Sequence, residues 1–499
     1  MIFIETFGNY IDGKVDTQGK ELDLYSPVDG TLFGKAYAAD EEKTLEAIDN
    51  AEDAFNKWSR TSLKERQGIF TRLVDIVEAK SERYAWLESM NTGRTLRQST
   101  FMDVTIAIEH MRYFANTREF QDTRTINHPE YPGTQGIVEY RPMGVVAGVA
   151  PWNVPLLMAV WKIMPALLTG NTVVLKPSHY TPATAFELTR DLENAGLPKG
   201  VLNLVTGEGS VVGRALSRSE KVRLLSFTGS TATGKRITID AAGTLKKIVM
   251  ELGGKSPNIV LNDADLDKAA RGVLFGIFLN SGQLCESGSR LLVQSGIKDR
   301  LLERIRHYMV RMRAGNPIEM ETDIGAITTA EQWKKISTLT QKGIESGAEL
   351  FFSRDISGLV PENGYYFSPS ILTNVANDME VAREEIFGPV LTVTEFDKDQ
   401  EAADIANNSR YGLAAGVWST DTLRARTLAD SIDSGTVWIN DYHMISAAAP
   451  RGGFKDSGIG RELGLEGILE YTQTRHLFFG SDENTLGEIA YGLVVTDHE

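Results

Sequence analysis

The sequence has very little cysteine: Cys285 is the only one among 499 residues. A single thiol excludes a disulfide within the chain and leaves no second thiol to share a metal ion, and we predict no metal site. Cys285 follows an apolar run and lies in the segment NSGQLCESG, between glycines and polar residues. This setting favours a reactive thiol, although an inert packing role stays open.

Positive charge is also scarce. The chain has 52 Lys and Arg against 67 Asp and Glu, a formal net charge of −15. This balance argues against nucleic acid or an anionic membrane as a partner and favours a small-molecule ligand. The first residues, MIFIETFGNYIDGK, contain no basic segment and no signal-peptide pattern. Together with the lack of disulfides, they predict a cytoplasmic location.

Long apolar runs are rare, and only residues 144–175 are apolar enough to suggest a membrane span. Three prolines would break a single helix there, and three polar side chains fall inside the run: Pro151, Pro155 and Pro165, with Asn153, Lys162 and Asn171. The pattern predicts a strand, a loop, a buried helix and a second strand instead, with no membrane segment.

The rest of the chain alternates between helix and strand patterns. Asp40 can cap one amphipathic helix, and Ser62 with Glu65 forms a capping-box pattern ahead of another. From NTVVLKP onward, short apolar strands alternate with helices, which indicates parallel sheets. The length exceeds what one core supports, so we expect two α/β domains that meet near residues 251–254. The segment ILEYTQTRHLFFG predicts an edge or interface strand, followed by a polar tail.

Three segments are candidates for chemistry. FTGSTATG (227–234) joins a strand to a helix and could hold a dinucleotide phosphate, or be an ordinary turn. Glu251 stands between an apolar strand and two glycines, where burial would make it a general base, unless it pairs with Lys255. Asn153 lies among prolines and apolar residues, so its amide either caps the backbone or faces a developing oxyanion.

These segments together resemble the NAD(P)-dependent aldehyde dehydrogenase superfamily. The matching segments are APWNVPLL, LKPS, FTGSTATG, MELGGKSPN, GQLCESGSR, EEIFGPV and GGFKDSGIGRE. They occur in the family's order and spacing from about residue 9 to 475. The resemblance implies an α/β fold with two Rossmann-like parallel-sheet domains, one for the cofactor and one catalytic, plus a small β oligomerisation arm. We assign 1–120 and 142–252 to the dinucleotide-binding domain, 253–467 to the catalytic domain, and 121–141 and 468–485 to the oligomerisation strands.

The resemblance also implies a covalent mechanism. The Cys285 thiolate would attack the aldehyde, and the Asn153 amide with the Cys285 backbone N–H would hold the oxyanion. After hydride transfer to the nicotinamide, Glu251 would activate water to hydrolyse the thioester, and Glu462 would relay protons. The resemblance further implies NAD or NADP as cofactor, bound by Val149, Trp152, Lys176, His179, Gly209, Gly229, Ser230, Leu252, Glu385 and Phe387.

Two positions depart from the family pattern. His179 stands where NAD-preferring relatives usually have Glu, which predicts that NADP is accepted. Arg451 stands where relatives commonly have an aromatic residue in the substrate tunnel, and it could anchor an anionic aldehyde such as a semialdehyde, or turn outward to an acidic partner. The other tunnel positions are Ile106, Val154, Met158, Trp161, Leu284, His443 and Ile445.

Two other functions stay open from the sequence: a thiol hydrolase using Cys285 and a histidine, and a non-catalytic structural relative. None of the seven histidines lies in a recognisable partner motif for such a hydrolase. The resemblance implies a homodimer or homotetramer, with the physiological aldehyde left unspecified.

Overall fold

A computed structural model describes residues 4–121, 123–483 and 485–495. Asp122 and Asn484, which belong to the predicted oligomerisation strands, lie outside the described residues. Within the described ranges no helix combines the length and the apolar character that a membrane crossing requires. The stretch 144–175 forms a strand, a loop, a buried helix and a strand, as predicted.

The first of two large sheets has eight strands. Its order is Gly458–Ile459, Lys247–Glu251, Val222–Thr228, Val145–Val149, Thr172–Lys176, Leu202–Leu204, Asn9–Ile11 and Lys14–Asp16. The five strands from Lys247–Glu251 to Leu202–Leu204 are parallel, and the outer pairings are antiparallel. Apolar clusters pack on this sheet, which is why its strands are runs of buried Val, Ile and Leu.

The second large sheet has seven strands. Its order is Glu349–Ser353, Ser370–Thr373, Val390–Phe396, Arg290–Gln294, Pro257–Val260, Ala414–Trp418 and Thr436–Ile439. Only the pairing at the Glu349–Ser353 edge is antiparallel. A short pair, Tyr411–Gly412 with Phe454–Lys455, lies apart from it. Two mainly parallel sheets with connecting helices confirm the predicted α/β class.

A third sheet is formed by Thr472–Phe479, Gln135–Pro142 and Arg124–Asn127, all antiparallel. The prediction placed a strand from Ile468, but Ile468 is the buried end of a helix, Gly464–Glu470, and the strand begins at Thr472. The prediction that a polar tail follows this strand is also wrong. The tail contains the helix Thr485–Gly492, with Leu486 and Ile489 exposed on it.

The sequence patterns did not reveal the N-terminal strands. Glu5–Phe7, Leu32–Ala38 and Lys20–Tyr25 form a small sheet. Several strands before residue 40 are only three residues long, too short for a period of two to stand out from polar neighbours.

The helices begin where the capping patterns indicate. Asp40 accepts the Lys43 N–H at 2.8 Å, and Ser62 and Glu65 form the capping box. Pro165, expected to break a helix, lies in the last turn of one that continues to Leu168. The α-helices are Glu41–Trp58, Leu63–Ala79, Ser81–Thr92, Leu96–Gln98, Thr105–Asn116, Pro155–Leu168, Ala183–Asn194, Arg214–Arg218, Thr231–Ala241, Leu266–Phe278, Lys298–Met309, Ala330–Glu345, Glu380–Arg383, Asp399–Asn407, Thr422–Asp430, Gly464–Glu470 and Thr485–Gly492.

Shorter helical segments complete the chain. Ser99–Val104 and Gly209–Gly213 are π-helical, and Glu119–Gln121, Ala242–Thr244, Leu279–Gly282 and Ser295–Ile297 are 3₁₀ turns. Ser99–Val104 and Leu279–Gly282 both contribute residues to the cavity described next, so irregular helix geometry is found at this site.

Candidate active site

Cys285 is held in a loop with strained backbone. The helix Leu266–Phe278 ends just before it, and Asn280 and Ser281 both have a φ of +51°. Gln283 fixes this turn: its amide donates to the carbonyls of Asn280 (3.1 Å) and Ala326 (3.2 Å) and accepts the Thr328 N–H (2.9 Å). Left-handed non-glycine residues are costly and are found at sites where the surroundings impose them.

The thiol of Cys285 contacts two charged side chains. Its S–H donates to Glu286 Oε2 at 3.0 Å, and Arg451 Nη2 lies 3.6 Å from Sγ. Arg451 Nη2 also donates to the same Glu286 oxygen at 2.7 Å. Burial raises the pKa of Cys285 and the Glu286 charge raises it further, whereas Arg451 lowers it.

Asn153 lies beside the nucleophile loop. Its Nδ2 donates to the Gln283 carbonyl at 2.7 Å, and Asn280 Nδ2 donates to the Asn153 carbonyl at 3.1 Å. The backbone role left open by the sequence is therefore present. Asn153 also lines the same cavity as Cys285, and its amide has a second hydrogen that is available to a ligand there.

Glu251 ends the strand Lys247–Glu251 and is 4% exposed. Burial, together with the nearby Glu462 carboxylate, raises its pKa to about 8. Neither Glu251 Oε1 nor the Lys255 ammonium has a hydrogen-bond partner among the described residues, so the alternative of a turn glutamate bound to Lys255 finds no support. A carboxylate with this pKa can take a proton from water near neutral pH.

Glu462 is engaged on three sides. It forms a fully buried ion pair with Lys162, and Ser226 Oγ donates to it at 3.1 Å. Its backbone exchanges two hydrogen bonds with that of Arg451, at 2.6 and 2.7 Å. Glu462 therefore holds Arg451 in place as well as facing Glu251.

One cavity of about 200 Å³ collects most of the predicted site residues. All four predicted catalytic residues line it, as do the predicted tunnel positions. Of the predicted cofactor residues, Trp152, Gly229, Ser230, Leu252, Glu385 and Phe387 line it. Val149, Lys176, His179 and Gly209 do not, although Val149 and Lys176 are register partners at the carboxyl ends of adjacent strands in the first sheet.

The cofactor edge has features that fit a dinucleotide. Ser230 caps the helix Thr231–Ala241, and a Cβ on Gly229 would come within 2.5 Å of the Phe227 ring. The Lys176 ammonium is buried, its pKa is lowered by burial to about 8, and its one hydrogen bond goes to the Pro177 carbonyl at 3.2 Å. It keeps donors for a ribose. Glu385 accepts the Gly254 N–H at 3.1 Å.

Arg451 points inward. Its side chain is buried, pairs with Glu286, and lies over the Trp161 ring with Cζ 5.6 Å from the ring centroid. Both expectations from the sequence were therefore incomplete: Arg451 is in the tunnel, yet an acidic partner within the protein already holds it. The acidic partner is Glu286, the neighbour of the nucleophile.

Several residues of this site were not singled out from the sequence. Glu286 is the most important, and its signal was an acidic side chain directly after the lone cysteine. Lys162 was noted only as a polar group in an apolar run, which is the pattern of a buried charge with a partner. Arg94 and Asp103 also line the cavity as a buried ion pair, and no sequence pattern connected them.

Comparisons with known proteins agree with this geometry. The model of the Aldehyde dehydrogenase family matches residues 14–477. The chain belongs to this family. This aldehyde dehydrogenase is 40% identical over 478 residues to the betaine aldehyde dehydrogenase of Bacillus subtilis (strain 168), covering 94% of this chain and 96% of that one. The predicted resemblance is confirmed, as is the enzyme class, an oxidoreductase acting on aldehydes.

Solved structures match this aldehyde dehydrogenase closely. The betaine aldehyde dehydrogenase of Staphylococcus aureus, crystallised with NAD+, has a TM-score of 0.92 at 37% identity and covers 95% of each chain. An NAD-dependent aldehyde dehydrogenase from Sinorhizobium meliloti has a TM-score of 0.93 at 36% identity, with 95% of each chain covered. The predicted NAD(P) dependence is confirmed at the level of the family.

Proposed function

We propose that this aldehyde dehydrogenase oxidises an uncharged aldehyde to the carboxylic acid through a covalent intermediate on Cys285. The observation that carries the proposal is the shared cavity: Cys285, Glu251 and Asn153 line one space, next to the cofactor edge at Gly229 and Glu385. A nucleophile, a base and an amide donor around one reacting atom are the parts that acyl transfer needs.

In this mechanism the Cys285 S–H proton passes to solvent, the thiolate Sγ bonds to the carbonyl carbon, and the C=O π bond opens to leave a thiohemiacetal oxyanion near Asn153 Nδ2. When bound, NAD(P) supplies the hydride acceptor. Loss of hydride converts the intermediate to a thioester on Cys285. Glu251 then takes a proton from water, the water oxygen bonds to the acyl carbon, and the C–S bond breaks to return the thiol and release the acid.

The contacts of Cys285 distinguish this function from a thiol hydrolase. Its Sγ contacts Glu286 and Arg451, and His443 Nδ1 instead lies 3.3 Å from Glu286 Oε1. A cysteine hydrolase needs an imidazole within reach of its sulfur. The intact set of Cys285, Glu251 and Asn153 likewise supports an enzyme rather than a structural relative.

The charge of the substrate follows from Arg451. An anionic aldehyde was expected because a guanidinium in an aliphatic tunnel can bind a carboxylate, but Glu286 already pairs with that guanidinium at 2.7 Å. A cationic aldehyde, as the names of the betaine aldehyde relatives suggest, would meet Arg451 over the Trp161 ring. The remaining tunnel residues are mostly aliphatic, so we propose an aldehyde with an uncharged, apolar body.

The test combines a substrate panel with modification of the one thiol. Absorbance at 340 nm is followed with NAD and with NADP for an aliphatic aldehyde, an aromatic aldehyde, a semialdehyde and betaine aldehyde. We expect turnover with the uncharged aldehydes, and its loss when Cys285 is fully alkylated. Activity that survives complete alkylation contradicts the covalent mechanism, and a preference for the semialdehyde or betaine aldehyde contradicts the proposed substrate class.

We further propose that residues 1–120 and 142–252 form the cofactor domain and 253–467 the catalytic domain. We also propose that the sheet of Thr472–Phe479, Gln135–Pro142 and Arg124–Asn127 joins two copies of the chain. This sheet has exposed apolar residues, Tyr140, Phe478 and Phe479, which support an interface there.

A further inference from the structure

A carboxylate other than that of Glu251 contacts the nucleophile, and the mechanism above does not use it. Glu286 follows Cys285 directly and is 4% exposed. Its Oε2 accepts the Cys285 S–H at 3.0 Å and the Arg451 Nη2 donor at 2.7 Å. A buried carboxylate next to a thiol that must ionise needs an explanation, because the two negative charges would repel each other.

Arg451 supplies the opposite charge at the same place. It lies 3.6 Å from Sγ, and two backbone hydrogen bonds with Glu462 and the Trp161 ring hold it there. Arg451 can therefore stabilise a negative charge on Sγ as well as on Glu286. Each of these two buried charges would be costly alone, so the presence of each depends on the other.

A histidine lies close to the other oxygen of the Glu286 carboxylate. His443 Nδ1 lies 3.3 Å from Oε1, and the other ring nitrogen of His443 lies 3.1 Å from the Gly276 carbonyl. Tyr442 donates its hydroxyl to the Glu286 backbone carbonyl at 2.9 Å. Arg451 therefore holds the Glu286 carboxylate at Oε2, Tyr442 holds its backbone, and His443 packs against Oε1, which gives the side chain a defined position beside Sγ.

The other charged groups of the cavity are arranged around this cluster. Glu251, Glu462, Asp103 and Glu385 carry the opposite sign to Arg94 and Lys335, and all of them line the same space. Among the described residues, Glu286 and Arg451 are the side chains within hydrogen-bonding range of Sγ. Besides burial, these two charges therefore act most directly on the ionisation of the thiol.

We propose that Glu286 and Arg451 are a matched pair that sets the ionisation of Cys285: Glu286 keeps the resting thiol protonated and orients its S–H, and Arg451 limits that effect so that a thiolate still forms. The proposal rests on the proposed function only in taking Cys285 as the nucleophile. The direction of the Cys285 pKa agrees, because burial and Glu286 raise it and Arg451 lowers it.

The test uses Cys285 as its own reporter, since it is the only cysteine in the sequence. The alkylation rate of the full-length protein with iodoacetamide is measured by mass spectrometry from pH 6 to 10, without aldehyde. For the wild type we expect an inflection above the value of a free thiol, about 8.5. For E286Q we expect the inflection at lower pH and an alkylation rate at pH 7 that is about tenfold higher or more. A tenfold increase corresponds to a Cys285 pKa that is lower by about one unit.

Matched variants complete the test. R451M should shift the inflection to higher pH, and the double variant E286Q/R451M should return toward the wild-type rate because the two effects oppose each other. E286D, which keeps the charge, should resemble the wild type more than E286Q does. E395Q is the control. Glu395 is an exposed carboxylate on the strand Val390–Phe396 that pairs with Lys298, and its replacement should leave the pH profile of alkylation unchanged.

Specific outcomes overturn the proposal. One is an E286Q inflection at or above that of the wild type, and another is an R451M shift to lower pH. If E286Q does not fold, the wild type alone provides the test, through a pH titration of its thiolate absorbance at 240 nm. An inflection below pH 8.5, about the pKa of a free thiol, contradicts the role of Glu286. The proposed function fails separately, if aldehyde oxidation survives full alkylation of Cys285.

Discussion

At the scale of single residues, Glu251 gives the clearest pH dependence. Burial and the nearby Glu462 raise its pKa to about 8, so at neutral pH much of it is protonated and unable to accept a proton. The hydrolysis step should therefore speed up as the pH rises and level off above about 8. An ordinary exposed glutamate is fully ionised well below neutral pH, so it would give no change in the hydrolysis rate between about pH 6 and 9.

The variant Glu251→Gln tests this assignment. It should retain a first turnover of hydride transfer but slow steady-state turnover by roughly 10²- to 10⁴-fold, the usual contribution of a general base. The acylated protein should be visible by intact-mass spectrometry, and the inflection near pH 8 should vanish. Glu220→Gln, at an exposed position, is the control. Retention of the wild-type pH profile in Glu251→Gln would rule out Glu251 as the base.

A second prediction at this scale concerns the cofactor: we expect His179 to allow NADP as well as NAD to bind. Burial and the neighbouring Lys176 lower its pKa, so the ring is neutral at pH 7 and does not repel a 2′-phosphate. His179→Glu should lower kcat/KM for NADP about tenfold, ~1.4 kcal/mol, with little change for NAD. His307→Glu, on an exposed helix position, is the control. A wild type inactive with saturating NADP would contradict the idea.

The candidate catalytic residues, and their meeting in one cavity, could be predicted from the sequence, but their charge partners could not. Cys285, Glu251 and Asn153 each stand in a motif with a local signature, and the structure brings them to one cavity. The pairing of Arg451 with Glu286 joins residues 165 positions apart, and no local pattern encodes it. The aliphatic tunnel was predictable position by position, whereas the charge that it presents to a substrate depends on that long-range contact.

At the scale of elements, capping and apolar periodicity predicted the helices and parallel strands well. The helix Pro155–Leu168 is the instructive case, because every one of its residues is buried. Lys162 is tolerated there since Glu462 arrives from 300 residues further along the chain and pairs with it. The short N-terminal strands were not predicted because most of them have only three residues, which carry too little alternation to be recognised.

Lys162→Met should destabilise the protein strongly. Removing one partner of a buried pair leaves Glu462 as an uncompensated buried charge, which typically costs about 3–5 kcal/mol. The midpoint of urea unfolding should fall accordingly, and the double variant Lys162→Met/Glu462→Leu should recover much of the loss. Lys57→Met, at an exposed position near the end of another helix, is the control. A Lys162→Met midpoint equal to that of the wild type would show that the pair contributes nothing.

At the scale of the whole molecule, exposed apolar surface is concentrated at the C-terminal end. Phe478 and Phe479 are about half exposed on the edge strand Thr472–Phe479. The following residues Leu493, Val494 and Val495 are 82%, 87% and 70% exposed. A monomer rarely leaves such a contiguous apolar stretch in water. Along the chain, this stretch follows the edge strand of the sheet proposed to join two copies.

Removal of residues 481–499 should therefore weaken the assembly of the proposed oligomer without unfolding the two large sheets. The truncated chain is expected to dissociate to smaller species at micromolar concentration, where the full chain stays assembled, because the apolar contact area of the tail is lost. Analytical ultracentrifugation of both proteins over a dilution series measures this. The full-length double variant Leu493→Glu/Val494→Glu keeps the length of the tail and should dissociate as the truncation does. Identical masses for all three proteins at every concentration would show that the tail takes no part in assembly, while retained aldehyde oxidation in the truncated chain would confirm that the cavity around Cys285 forms without it.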